Sequence, residues 1–347
     1  MIDRRTFVAR SAAAASLGGL AWPGSASAAV ASSITFGPVT PIYTLALAAL
    51  EKGYFKDEGV DFKLVSTDAG ARSRQTLAAG DSLLAHGDAS HPLQLSNRGK
   101  KSKIILATQM VASISNIVIR KDLHDQGIKT IEALADWKRP DGAKPIVAAT
   151  AIGSGTWMYG TYVFERRNLG GRVNWVAGGG PKTMFPALET KQFDAIMAVP
   201  GWQIEAEKNG FGVSLYDVRT PGLWERDFGG LVPVLVVYCL EETIDKQPDA
   251  VQATVNALYR TMKWIKSSPV DDVYALIGQK HFGSLDAASA KVEIAFDKDT
   301  WAYDGRVKAA DFERGGRVWY RQGSDIQPTT FEAIVDMRFL DAAQKKY

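Results

Sequence analysis

A glycine-rich turn at residues 153–156 carries the clearest sign of chemistry in this sequence. Gly153-Ser154-Gly155-Thr156 follows an apolar segment and precedes a stretch with a helical pattern. The first turn of a helix has unpaired backbone N–H groups and a partial positive charge, and glycine lets a ligand approach the backbone closely. We therefore expect this turn to bind a carboxylate, sulfonate or phosphate, with hydroxyl donors from Ser154 and Thr156. A plain helix cap at a tight turn is the alternative interpretation.

Three further polar residues are candidates for contact with such a ligand. Asp88 and Ser90 lie between a predicted strand and a predicted helix, where they could bind a ligand or simply cap the helix. Arg72 opens the helix after the second predicted strand and could pair with an anion. An ordinary solvated surface charge is the alternative for Arg72.

Aromatic residues occupy comparable loop positions. Tyr43, Trp157 and Trp202 each follow the carboxyl end of a predicted strand, which is the edge where open α/β sheets bind ligands. Any one of these rings could belong to the core instead. Several rings at equivalent positions favour an apolar, ring-lined cleft.

Other motifs do not meet their chemical requirements. A dinucleotide-binding turn would need glycine at position 158, where Met158 stands. In the segment 178–183, Pro181 replaces the glycine that a phosphate-binding NTPase loop requires. The four histidines have no metal-ligand spacing and no nucleophile elbow is present, so we expect no metal, cofactor or catalytic residue. Cys239, the only cysteine, lies in an apolar run, so we expect it to be a small buried side chain.

The composition is that of a globular protein. The chain has 347 residues, of which 46% are hydrophobic and 23% are charged, and this length predicts two domains. Its formal net charge is +3, but Asp3, Arg4, Arg5 and Arg10 supply +2 of it, so the rest of the chain is nearly neutral. We therefore expect no binding of nucleic acid.

The first 28 residues resemble an export signal. A twin-arginine pattern at residues 3–8 precedes an apolar stretch at 12–22, which is too short to span a bilayer permanently, and the small-residue site Ala26-Ser27-Ala28 follows. We expect twin-arginine export to the periplasm with cleavage after Ala28. No cysteine follows the stretch to carry a lipid anchor, so the mature protein should be freely soluble.

Apolar segments alternate with helical patterns, which predicts an α/β fold with mainly parallel sheets. We expect a first lobe from residues 29–118, a second lobe from 119–218, and a return to the first lobe with C-terminal helices in 219–347. The apolar run 231–238 should be the returning strand, because Pro233 excludes the interior of a helix. From residue 248 onward the spacing predicts helices, the last of them over 331–344.

Several segments, taken in order, resemble the nitrate, taurine and aliphatic-sulfonate binding family of periplasmic solute-binding proteins, which also includes binders of thiamine pyrimidine precursors. The resembling segments lie between about residues 34 and 210: Glu51 to Val60, Leu77 to Asp81, Gly87-Asp88, Gly153 to Thr156, Ala187 to Glu189, Phe193 to Ala195 and Val199-Pro200. The resemblance implies a type II periplasmic binding protein fold. In that fold two Rossmann-like lobes are joined by a two-segment hinge and close around the ligand.

The resemblance carries a ligand-binding role onto Ser154, Gly155 and Thr156 and, on looser matches, onto Tyr43, Asp88, Ser90 and Trp202. The expected function is that of the periplasmic solute-binding component of an ABC importer. As a monomer, it would capture a small organic anion and dock transiently on an inner-membrane permease. The aromatic loops and Arg72 depart from the family pattern. These differences are compatible with an aromatic or heterocyclic acid as the ligand.

Two alternatives on the same fold stay open. One is an enzyme like the thiamine pyrimidine synthase, which would need a cysteine-rich site and a cytosolic location. The other is a ligand sensor that passes its bound form to a receptor.

Overall fold

The computed structural model describes residues 29–283, 285–321 and 323–347. The predicted export signal at residues 1–28 lies outside the described residues, so the twin-arginine pattern and the cleavage site stay predictions.

Within the described residues, ten strands form two five-stranded sheets. The first sheet has the order β2-β1-β3-β10-β4 and consists of β1 Val30–Phe36, β2 Val60–Ser66, β3 Leu84–Asp88, β4 Ser102–Ala107 and β10 Leu235–Leu240. The second has the order β7-β6-β8-β5-β9 and consists of β5 Asn116–Arg120, β6 Ile146–Ala149, β7 Asn174–Ala177, β8 Ala195–Ala198 and β9 Gly212–Tyr216. We call the sheets with their covering helices lobe 1 and lobe 2.

Each sheet is mixed, with two parallel and two antiparallel strand pairings, whereas the alternating pattern predicts mainly parallel sheets. In lobe 1 only β10 runs against its neighbours β3 and β4, and in lobe 2 only β5 runs against β8 and β9. These two strands follow the two crossings between the lobes, one between β4 and β5 and one between β9 and β10. All residues of β10 are buried, in keeping with its place inside the sheet. The strand begins at Leu235, four residues after the start of the predicted strand 231–238.

Helices cover both sheets. Their bounds are α1 Thr44–Glu51, α2 Tyr54–Asp57, α3 Gly70–Ala79, α4 Ser90–Asn97, α5 Lys121–Asp125, α6 Ile131–Asp136, α7 Gly155–Glu165, α8 Pro181–Glu189, α9 Pro200–Lys208, α10 Leu223–Phe228, α11 Glu241–Lys246, α12 Pro248–Ser267, α13 Val270–His281, α14 Ala287–Thr300, α15 Ala309–Trp319, α16 Phe331–Ile334 and α17 Arg338–Lys346. Short 3-10 helices span Pro41–Tyr43 and Ser113–Ser115. None of the described helices is both long and apolar enough to cross a membrane.

The C-terminal helices connect the lobes as well as covering lobe 1. Helix α12 buries Val251, Val255 and Leu258 along one face and packs on α1 and α17. Helix α14 contacts both the 3-10 helix at residues 41–43 and α9 of lobe 2, while α15 contacts α7. Among the described residues, the C-terminal helices thus link the two lobes in addition to the two crossings.

The last predicted helix differs from the structure. The helix expected over 331–344 is interrupted, because Val335 pairs with Ile104 at the edge of the first sheet and the N–H of Asp336 donates to the Ile104 carbonyl at 2.9 Å. At the other end of the described fold, one 3-10 turn at Pro41–Tyr43 precedes α1, and the Thr40 side chain makes no capping hydrogen bond. The predicted lobe boundary at 118 falls inside β5, and the boundary at 218 falls just after β9.

Candidate ligand-binding site

A narrow cavity of about 40 Å³ lies between the two lobes, at the edge where the parallel strands of both sheets end. Loops after β1, β2 and β3 form its lobe 1 side, and loops after β6 and β8 form its lobe 2 side. Open α/β sheets bind ligands at this edge. The lining residues are Pro38, Thr40, Ile42, Tyr43, Gly70, Asp88, His91, Ile114, Thr150, Ser154, Gly155, Thr156, Ala198, Val199, Trp202 and Leu235.

The start of α7 lies against lobe 1 at Gly155. A Cβ atom placed on Gly155 would lie 2.7 Å from the Ile114 Cδ1 atom and 2.9 Å from the Asp88 Oδ2 atom. Because neither distance is compatible with a real side chain, glycine is needed at this position for the lobes to meet. The Asp88 carboxylate at the end of β3 therefore lies beside the positively polarised start of α7.

The hydroxyl groups of the glycine-rich turn are bonded to one another. Thr150 Oγ1 donates to Ser154 Oγ at 3.0 Å and lies 2.8 Å from Thr156 Oγ1. Thr156 Oγ1 also accepts from the Thr150 N–H at 3.0 Å. These bonds fix the shape of the turn, so the groups left for an anion are mainly the backbone N–H groups at the start of α7.

Four polar atoms of lining residues have no hydrogen-bond partner among the described residues: Thr40 Oγ1, Asp88 Oδ2, His91 Nε2 and Trp202 Nε1. The residues that carry them are 3%, 2%, 1% and 3% exposed, respectively. A buried polar group without a partner costs about 1–3 kcal/mol. Because four lining residues each carry such an atom, this cavity is the candidate ligand-binding site.

Burial controls the charges in the cavity. Desolvation raises the pKa of Asp88 to about 6, against the hydrogen bonds from Ser90 and the nearby charge of Arg74, which lower it. Burial also holds the pKa of His91 well below its ordinary value, and the positive charge of Arg74 acts in the same direction. The lining residues include no lysine or arginine. Above about pH 6 the described side chains of the cavity therefore carry one negative charge, on Asp88.

Two aromatic side chains form walls of the cavity. The Tyr43 ring packs 4.8 Å from Phe36 and 5.3 Å from His86, measured between ring centroids. The Trp202 ring meets Phe185 edge to face at 6.3 Å. These contacts hold both rings in fixed positions at the ends of β1 and β8.

The structure brings six of the nine sequence-predicted site residues to the cavity: Tyr43, Asp88, Ser154, Gly155, Thr156 and Trp202. Ser90 is buried next to it. The Ser90 N–H donates to Asp88 Oδ1 at 2.9 Å, and its hydroxyl accepts from Gln94 at 3.1 Å. Ser90 thus supports the Asp88 carboxylate.

Arg72 and Trp157 lie elsewhere. Arg72 is exposed and pairs with Asp68 at 3.1 Å, because this part of α3 faces solvent. Trp157 lines an outer groove together with Arg74 and Gln94, and its ring lies 5.8 Å from the Arg321 guanidinium. It follows Thr156 by about a third of a helical turn, which points it away from the cavity.

Sequence reasoning missed His91 and Arg74. His91 belongs to no recognisable motif, although it follows Asp88 by only three residues. Arg74 is 5% exposed and donates to the Gln94 side chain and to the Gly153 carbonyl, the latter at 3.1 Å, so it ties lobe 1 to the glycine-rich turn. Residues 72 and 74 lie on different faces of one helix, and nothing in the local sequence shows which of them faces inward.

The model of the NMT1-like family matches residues 26–276 of the chain. The chain belongs to the NMT1-like family. No curated protein sequence matches this NMT1-like protein.

Solved structures resemble this NMT1-like protein over nearly its full length. A protein from Bordetella bronchiseptica has a TM-score of 0.76 and 21% identity, covering 92% of this chain and 98% of its own. The alkanesulfonate-binding protein SsuA from Xanthomonas axonopodis, bound to MOPS, has a TM-score of 0.69 and 14% identity, covering 89% and 98%. The periplasmic nitrate-binding protein NrtA from Synechocystis has a TM-score of 0.69 and 14% identity, covering 91% and 89%. The two-lobed periplasmic binding protein fold expected from the sequence is confirmed.

Proposed function

We propose that this NMT1-like protein is the periplasmic solute-binding component of an ABC importer and captures a small organic anion between its lobes. The observation that carries the proposal is the interlobe cavity, which is lined by the start of α7 and by four residues that each carry an unpartnered polar atom. Two structural relatives support it, since one is an alkanesulfonate-binding protein with MOPS bound and another is a periplasmic nitrate-binding protein.

In this proposal the backbone N–H groups of Gly155 and Thr156 hold the acid group of the solute. The walls formed by Tyr43 and Trp202 cover its apolar body. The lobes open to admit the solute and close over it, and the contact between Asp88 and Gly155 forms on closure. The closed monomer then docks on the permease.

The proposal contains no catalytic step. Cys239 is fully buried in β10, and burial raises the pKa of its thiol far above the ordinary value, so it cannot serve as a thiolate nucleophile. Export of the protein by the twin-arginine route and removal of residues 1–28 complete the proposed path to the periplasm.

Isothermal titration calorimetry against alkanesulfonates, carboxylates, aromatic acids and nitrate tests the proposal. We expect saturable binding of at least one organic anion at one site per chain. The variant Gly155→Ala should bind it about tenfold more weakly or worse, because its Cβ would push Ile114 and Asp88 away from α7.

Gly283→Ala is the matched control, since a Cβ at Gly283 meets nothing within 4 Å. It should bind like the wild-type protein. Absence of binding to every compound, or equal binding by both glycine variants, would overturn the proposed site.

A further inference from the structure

The Asp88 carboxylate conflicts with a purely anionic solute. It lies beside the start of α7, which is the place proposed for the acid group of the ligand. Two negative charges in a narrow, water-poor cavity repel each other strongly, because the low local dielectric screens them poorly. Either the ligand compensates for the charge of Asp88 or the pair is unfavourable.

Asp88 lacks a hydrogen-bond donor on one oxygen. Its Oδ1 atom accepts from the Ser90 N–H at 2.9 Å, while Oδ2 has no partner among the described residues although Asp88 is only 2% exposed. An ionised carboxylate only accepts hydrogen bonds, so the missing partner must be a donor.

The groups around Asp88 do not supply that donor. Arg74 of α3 is the nearby cation, but its described hydrogen bonds go to Gln94 and to the Gly153 carbonyl. His91 of α4 is neutral, and Tyr43, Tyr159 of α7 and Tyr238 of β10 are buried phenols whose pKa values are raised by burial. The tyrosines are therefore neutral too, and none of them donates to Oδ2.

The other unpartnered atoms differ in whether they donate or accept hydrogen bonds. The Trp202 indole N–H is a donor and the Thr40 hydroxyl can donate, so both suit the oxygens of an acid group. His91 Nε2 accepts when the ring proton is on Nδ1, which faces the Tyr238 hydroxyl at 3.4 Å. His91 at the start of α4 and Asp88 at the end of β3 then both accept hydrogen bonds, and a protonated nitrogen has enough N–H groups to donate to each.

We infer that the solute is a compact zwitterion, with a protonated nitrogen held by Asp88 and His91 and an acid group held by the start of α7, Thr40 and Trp202. This inference rests on the proposed function and specifies the class of solute. The small cavity of about 40 Å³ favours a short chain between the two groups.

Calorimetry with pairs of equal size tests the inference. Each pair keeps the acid and exchanges an ammonium for a methyl group: 3-aminopropanesulfonate against butanesulfonate, and 3-aminopropanoate against butanoate. We expect at least one amino compound to bind about tenfold or more tightly than its partner, because only it compensates for Asp88.

The pH dependence gives an independent readout on the unaltered protein. The affinity for the amino compound should fall between about pH 7 and pH 5, because protonation of Asp88 removes the charge that holds the ammonium. Asp88→Asn should abolish the preference within each pair. Asp81→Asn, at an exposed residue after α3, should keep it.

The outcomes separate the two proposals. If the methyl compounds bind as tightly as the amino compounds, the inference of a zwitterion is wrong, while the proposed capture of an anion stands. The same conclusion follows if the methyl compounds bind more tightly as the pH falls, because a protonated Asp88 then receives the acid group. If no compound of either pair binds and the wider panel fails as well, both proposals are wrong.

Discussion

Replacing Asp88 by asparagine should stabilise the protein without ligand, and the size of the effect follows from the cavity. Burial raises the pKa of Asp88 from its ordinary 3.8 to about 6. Each pH unit of such a difference corresponds to about 1.4 kcal/mol. The ionised carboxylate should therefore lower the free energy of unfolding by about 3 kcal/mol at pH values above 6.

The sign of the effect depends on pH. Below the unfolded-state pKa near 3.8, the carboxyl group is protonated in both the folded and the unfolded state, so it does not destabilise the protein. The loss of stability grows as the pH rises and is complete above about pH 6. Asparagine keeps an oxygen for the Ser90 N–H but carries no charge. Asp88→Asn should thus match the wild-type protein near pH 4 and exceed it near pH 8 by up to about 3 kcal/mol.

Urea denaturation of both proteins at a series of pH values measures this difference. Asp81→Asn serves as the exposed control and should follow the wild-type protein at every pH. A variant that is less stable than the wild-type protein near pH 8, or a difference that does not change with pH, would refute the argument that Asp88 is buried without a compensating partner.

Two further substitutions test individual groups. Trp202→Phe keeps a ring against Phe185 but removes the unpartnered Nε1–H, so the solute affinity should fall about fivefold. Unchanged affinity in calorimetry would exclude a bond from Nε1 to the solute. Glu293 is buried on α14 and accepts from the Gly201 N–H at 3.0 Å, and burial, with Asp297 beside it, raises its pKa. The wild-type protein should therefore lose stability in urea as the pH rises above about 4.5, the ordinary pKa of this carboxyl group, and Glu293→Gln should lose less. Equal losses would contradict the buried acid pair.

The order of strands and helices could be predicted because it depends on local patterns. Short apolar runs separated by helical segments indicate a parallel α/β fold, and Pro233 alone settles the state of the run that becomes β10. The interruption of the last helix could not be predicted in this way. It depends on the bond between Asp336 and Ile104, which are distant in sequence.

The candidate site could be predicted only in part for the same reason. The glycine-rich turn is visible as a local motif, but its meaning changes once Asp88 lies against Gly155 from the other lobe. That contact joins residues 67 positions apart in the chain and depends on how the lobes meet. The unpartnered atoms of Thr40 and His91 likewise exist only in the assembled cavity.

The most direct test of the central claim is a crystal structure of the protein grown with the tightest-binding solute of the calorimetric panel. The account predicts electron density for the solute between the lobes, with its acid group at the start of α7 and its remaining polar atoms within hydrogen-bond distance of Asp88 and Trp202. Density in the outer groove beside Trp157 and Arg74, with the interlobe cavity filled by protein alone, would contradict it.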